Sequence, residues 1–184
     1  MLCRLERLRH KKGFTLVELI VVIAIIAILT AVVIPLVGRF SAQAAYSALQ
    51  DNAKTVASST FTSLADATKL GSFVKVARVT GHKSGGTLDV SIYDEHGDDK
   101  SDEGDYAKLK TSVINALQSA LDDGSYFAAR ITANACDASI YSKDQDVRDY
   151  DGADPVVVRD GSFPDDEAYL LNGKAVGVSG SWKV

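Results

Sequence analysis

Residues 19–37 read LIVVIAIIAILTAVVIPLV, and only Thr30 is polar among these nineteen. At 1.5 Å per residue the run spans about 28 Å as a helix, close to the thickness of a bilayer's hydrocarbon layer. It is apolar all round, so it has no face suited to water. A buried core helix is the plainer alternative, and the length of the run argues against it. The run also follows a cationic cluster. Arg4, Arg7, Arg9, Lys11 and Lys12, against Glu6 alone, give residues 1–13 a net charge of +4. The whole chain carries −4, so the remainder carries −8. This asymmetry places residues 1–13 in the cytoplasm and everything after about residue 40 outside.

Two residues interrupt the span. Glu18 stands at its entrance, in Gly13-Phe14-Thr15-Leu16-Val17-Glu18. A carboxylate near hydrocarbon costs several kcal/mol unless it is paired or lies near the headgroups. Pro35 sits late in the helix, removes one backbone hydrogen bond and is expected to kink or locally melt it.

The segment Lys12-Gly13-Phe14-Thr15-Leu16-Val17-Glu18-Leu19-Ile20 resembles the prepilin signal of the type IV pilin superfamily, with its pilus subunits and its pseudopilins of secretion and competence systems. The resemblance covers residues 11–40. It rests on a short basic leader, a Gly before the cut, a Phe after it, a Glu at the fifth mature position and an apolar helix. It implies cutting between Gly13 and Phe14 by a membrane-embedded prepilin peptidase on the cytoplasmic side. It implies N-methylation of the new Phe14 amine by the same enzyme. Glu18 would then attract the Phe14 amine of an adjoining subunit, two unlike charges meeting where the dielectric is low. Partners would be other pilins and the assembly machinery of the inner or cytoplasmic membrane. The chain would be single-pass with a cytoplasmic N-terminus, and later part of a surface filament. A competing export signal, Ala42-Gln43-Ala44, has the small-x-small pattern of signal peptidase sites. That route leaves Glu18 without a purpose, and its apolar region would be too long.

The chain therefore divides into a leader, 1–13, a transmembrane or filament-core helix, 14–38, an amphipathic continuation, 39–70, and a globular head, 71–184. In the continuation, Tyr46, Leu49, Ala53, Val56, Phe61, Leu64 and Ala67 form an apolar stripe. Lys69 suits the last turn and Gly71 the position beyond it. In the head, residues 74–76 and 87–92 alternate around a loop at 81–86 and suggest a hairpin. Tyr106, Leu109, Val113, Leu117 and Leu121 make a helical stripe, with Asp105 as N-cap and Gly124 just past the end. Residues 127–133 alternate as a strand. Asp160-Gly161 follows an apolar run, and Asn172-Gly173 separates two, as hairpin turns do. The expected fold is α+β: a long N-terminal helix, its first half spanning the membrane, packed on a head with an antiparallel sheet and one extra helix.

The head offers little chemistry. Two acidic tracts, 94–105 and 144–154, carry closely spaced carboxylates. Asp149, Asp151 and Asp154 are the best trio for Ca²⁺, which takes six to eight oxygens. Neither tract fits an EF-hand loop, and a solvated acidic loop is the plainer reading. Cys136 is the single cysteine of residues 14–184, so no intrachain disulfide is expected there. It reads as a small buried residue, or else as an intersubunit bridge or reactive thiol. That lone cysteine departs from many Gram-negative pilins. His82 and His96 lack motif neighbours, and there is no nucleophile elbow, Cys/His ligand spacing or phosphate-binding loop. The chain is thus expected to be a peptidase substrate rather than an enzyme. Lys75, Arg78 and Lys83 could form a small basic patch for DNA, but −8 outside the leader argues against nucleic acid. A membrane-tethered enzyme or binding module is the rival class. It would need only hydrophobicity from its anchor, not Glu18.

Overall fold

A computed structural model describes residues 13–69, 75–150, 157–158 and 169–180. The element order is α1 (Leu16–Lys69), β1 (Val76–Ser84), β2 (Thr87–Asp94), α2 (Gly104–Leu117), β3 (Tyr126–Thr132), β4 (Ala135–Ser142), β5 (Val157–Val158), β6 (Tyr169–Leu171) and β7 (Lys174–Gly180). The architecture is α+β, as the sequence suggested. The chain separates into two units, Met1–Phe40 and Ser41–Val184.

In the first unit every described residue is exposed, including Leu19, Ile23, Ile26 and Leu36. The Thr30 hydroxyl donates to the Ile26 carbonyl at 2.7 Å, so the lone polar side chain of the run is satisfied within its own helix. The helix passes through Pro35 without a break, so of the kink or local melting expected there the melting does not occur. The proline removes one donor from the ladder, and the turns on either side remain helical.

Among the described residues the second unit contains a seven-stranded antiparallel sheet in the order β2-β1-β3-β4-β7-β6-β5. One face packs against α1 and α2. Its core includes Val56 and Leu64 of α1, Leu109, Val113 and Leu117 of α2, and Val79, Val90, Ile92, Phe127 and Ile131 of the sheet. The other face carries a smaller cluster, with Ala128, Ile140, Val176 and Val178 covered by Val147 and Tyr150. Central strands are therefore buried on both sides.

A cross-strand row explains how α1 comes so close. Gly81, Phe127, Tyr141 and Gly177 are successive partners across β1, β3, β4 and β7. The Phe127 ring lies over Gly81, where a Cβ would stand 2.4 Å from its edge. The backbone of α1 lies over Gly177, where a Cβ would stand 1.8 Å from the Leu49 carbonyl oxygen. In the next row the Ser139 hydroxyl donates to the Ala53 carbonyl at 2.7 Å. Gln50 accepts the Val178 N–H at 3.3 Å, and the Tyr46 hydroxyl accepts the Tyr169 N–H at 3.1 Å. Small residues on β4 and β7 let the helix backbone approach, and polar side chains fix its register.

Several expectations change. The first hairpin turns at Gly85-Gly86 alone, because Gly81 to Ser84 belong to β1. Asp105 is not the N-cap of α2. Glu103 holds that position without a side-chain cap bond, and Asp105 instead pairs with Lys108 at 2.7 Å in the first turn. Phe61 points outward, 49% exposed, whereas Thr60 is buried. The buried stripe runs through residues 53, 56, 60, 63, 64 and 67 at helical period, and Phe61 falls off it. An additional strand, β4, follows β3 through a tight turn at Ala133-Asn134, both at positive φ. The Asn172-Gly173 hairpin is present. Gly71, Val74 and Asp160-Gly161 lie outside the described residues.

Gly177→Ala is expected to destabilise the head by about 3 kcal/mol or more, because two backbones would have to separate. The check is a lowered thermal midpoint for the detergent-solubilised chain. Ser179→Ala, two residues along, should leave the midpoint within a degree or two.

Candidate functional site

Gly13, Phe14 and Thr15 are not helical, and α1 begins at Leu16. The first N–H groups of any helix lack partners inside it. Here the Glu18 N–H donates to Thr15 Oγ1 at 3.3 Å, and the Thr15 N–H donates to Glu18 Oε2 at 2.8 Å. The two residues cap each other reciprocally, the arrangement that the pattern Thr-x-x-Glu produces at a helix start. The Thr15 hydroxyl also donates to Glu18 Oε2, at 2.8 Å. Negative charge in the first turn is further favoured by the positive end of the helix dipole. No described residue donates to the other carboxylate oxygen, Oε1.

This geometry answers how an acid can stand at the mouth of an apolar helix. Glu18 is exposed but bonded to its own backbone. Phe14, 84% exposed, precedes the cap by one residue. An amine created at Phe14 would lie beside this first turn, and the open oxygen of Glu18 leaves room for an ammonium donor. Pro35 stands seventeen positions further along the same helix and takes no part in the site. The sequence reading assigned Gly13, Phe14 and Glu18 but missed Thr15. Its signal was the Thr-x-x-Glu pattern directly before an apolar run.

The other candidates fare differently. Of the calcium trio, Asp149 is exposed in a turn, and Asp151 and Asp154 lie outside the described residues. Among the described residues no group of His, Cys, Asp or Glu side chains has the clustering of a metal site. The tract at 94–105 is engaged internally. Asp94 accepts the N–H groups of His96 and Asp98 at 2.8 and 3.0 Å. Asp99 accepts the Ser101 N–H at 2.9 Å as well as its hydroxyl. Glu95, Asp102, Glu103 and Asp105 pair with Lys75, Lys110, Lys100 and Lys108.

The basic patch is likewise occupied. Lys75 pairs with Glu95 at 3.0 Å, and the Arg78 guanidinium lies 4.6 Å over the Tyr93 ring. Lys83 donates to the carbonyls of Gln118, the C-cap of α2, and of Leu121 in the turn beyond it, both at 2.7 Å. A cation just past a helix C-terminus is favoured by the negative end of its dipole. Lys83 therefore secures α2 to the first hairpin rather than facing a phosphate.

Cys136 is half-buried against the main core, and its thiol contacts the Ala138 carbonyl at 3.6 Å. Burial, helped by the neighbouring Asp137 carboxylate, pushes its pKa up to about 11. That favours the reading as a packed residue over that as a reactive thiol.

Residues 8–34 match the model of the prokaryotic N-terminal methylation motif, the signature of type IV prepilins. No curated protein and no solved structure matches the chain.

Alkylation of Cys136 at pH 8 is expected to be at least ten times slower than that of a free cysteine, because the raised pKa leaves about a hundredfold less thiolate. Mass spectrometry before and after unfolding in urea checks this, with the full rate returning on unfolding.

Proposed function

We infer that this chain is a structural subunit of a type IV pilus or pilus-like filament. The observation that carries the reading is the methylation motif at residues 8–34, seated on a helix that is apolar on every side and that runs into a folded head. Prepilin peptidase cuts between Gly13 and Phe14 and methylates the Phe14 amine. Before assembly the chain is held in the membrane by residues 14–38. In the filament the same residues pack among their counterparts from other subunits. Both surroundings are apolar, so the helix passes from one to the other without presenting its side chains to water. Glu18 meets the Phe14 amine of an adjoining subunit. The charge pair is drawn together in a medium of low dielectric, and its own cap leaves Oε1 open for it. The chain performs no catalysis in this scheme and is the substrate of the peptidase.

A second reading is a pseudopilin of a type II secretion or competence system. It is supported by Cys136 being the single cysteine of residues 14–184, which leaves the head without an intrachain disulfide once the leader is removed. Surface filaments labelled by an antibody to residues 71–184 would support the pilus over the pseudopilin.

Mature protein from cells should begin at Phe14 and carry one methyl group on its amine. A start at Ala45 would instead show signal-peptidase release. Glu18→Ala should still insert and still be cut, though more slowly, but filament yield should fall more than about tenfold, since removing one member of a buried charge pair costs roughly 3–5 kcal/mol. Normal yield would favour an anchor with no assembly role.

A further inference from the structure

The motif places a peptide bond to be cut immediately before a long helix, and helices resist proteolysis. A carbonyl inside a helix is bonded to the N–H four residues on and is screened by neighbouring side chains. If α1 began one turn earlier, the Gly13 carbonyl would accept the Val17 N–H and the bond after it would be locked in the ladder. The structure shows the opposite. Gly13, Phe14 and Thr15 are outside the helix, and the boundary falls where Thr15 and Glu18 cap each other.

We propose that Thr15 is a positioning residue for leader removal: its reciprocal cap with Glu18 ends α1 two residues short of the Gly13–Phe14 bond and holds that bond extended for the peptidase. The proposal rests on the processing reading above. It also gives Glu18 a role before the cut, separate from any pairing with a neighbour. The N-cap position demands an extended backbone at Thr15 itself, which aims the chain away from the helix axis at the residue following the bond. In the cut, water adds to the Gly13 carbonyl carbon and the C–N bond to Phe14 breaks. Gly13 leaves as a carboxylate and Phe14 keeps the nitrogen, which takes up both protons of the water and leaves as an ammonium. The Thr15 N–H belongs to the Phe14–Thr15 bond, so the cap survives the reaction. It then keeps the new amine a single residue from the cap, close to the first-turn carboxylate.

The test uses the full-length chain in membrane vesicles with a prepilin peptidase, following the initial rate of leader release by mass spectrometry. Thr15→Val keeps the shape and removes the hydroxyl, whereas Thr15→Ser keeps the capping oxygen. Thr15→Val is expected to be cut about fivefold more slowly, the population change that loss of one N-cap brings. Thr15→Ser should be cut at the wild-type rate, and both variants should insert normally. Equal rates for Thr15→Val and wild type would overturn the proposal. So would equal slowing of both variants, which would mean that the peptidase reads the bulk of the side chain and not the cap. If the wild-type chain is not cut between Gly13 and Phe14, the processing reading fails and the cap proposal falls with it.

Discussion

Fourteen Leu, Ile and Val side chains between residues 19 and 37 have no partner within the described chain. Each is worth about 1.5–3 kcal/mol when removed from water, so together they represent roughly 20–40 kcal/mol that the head does not collect. That is more than the whole folding stability of an ordinary domain. Such a surface must be covered by lipid or by other helices wherever the molecule resides. Under the proposed function, the basic leader, the cut site and the first-turn acid would all take their meaning from this requirement, governing how the helix enters one apolar environment and leaves it for another.

Beyond residue 40 the same helix obeys different rules. Its approach to the sheet is set by absent side chains. Gly177 admits the Leu49 backbone, and Ser139 reaches the Ala53 carbonyl. Tyr46 and Gln50 contribute hydrogen bonds to strand N–H groups, which hold the register where packing area is small. One helix thus combines a half whose partners lie elsewhere with a half that builds a wall of its own domain. No proline or glycine separates Ala42 from Lys69, so the second half is continuous through the contact.

The sequence revealed most where one physical demand acted alone. The apolar run showed itself through length, and the last hairpin through Asn172-Gly173. The missed elements are those where two demands overlap. The strand β4 reads ACDASIYS, with no alternation, because both faces of its second half are buried and Ser139 stays small beneath α1. Its turn uses Ala133-Asn134 in a conformation that usually selects glycine, so no turn signal marked it. Gly81 looked like loop chemistry but is a strand residue that makes room for Phe127. Phe61 was assigned to the core by its hydrophobicity, whereas helical geometry gave that place to Thr60. Thr15 carries neither charge nor a large apolar side chain, and only its spacing from Glu18 marks it.

The wall that α1 lends to the head also bounds how the molecule can be dismembered. Ala53, Val56 and Leu64 are fully enclosed, and the ties to β6 and β7 begin at Tyr46. A water-soluble version can shed everything up to about Phe40 and keep its interior intact. One trimmed at residue 71, where the globular region begins by eye, would expose the inner face of the sheet and trade one aggregation-prone surface for another.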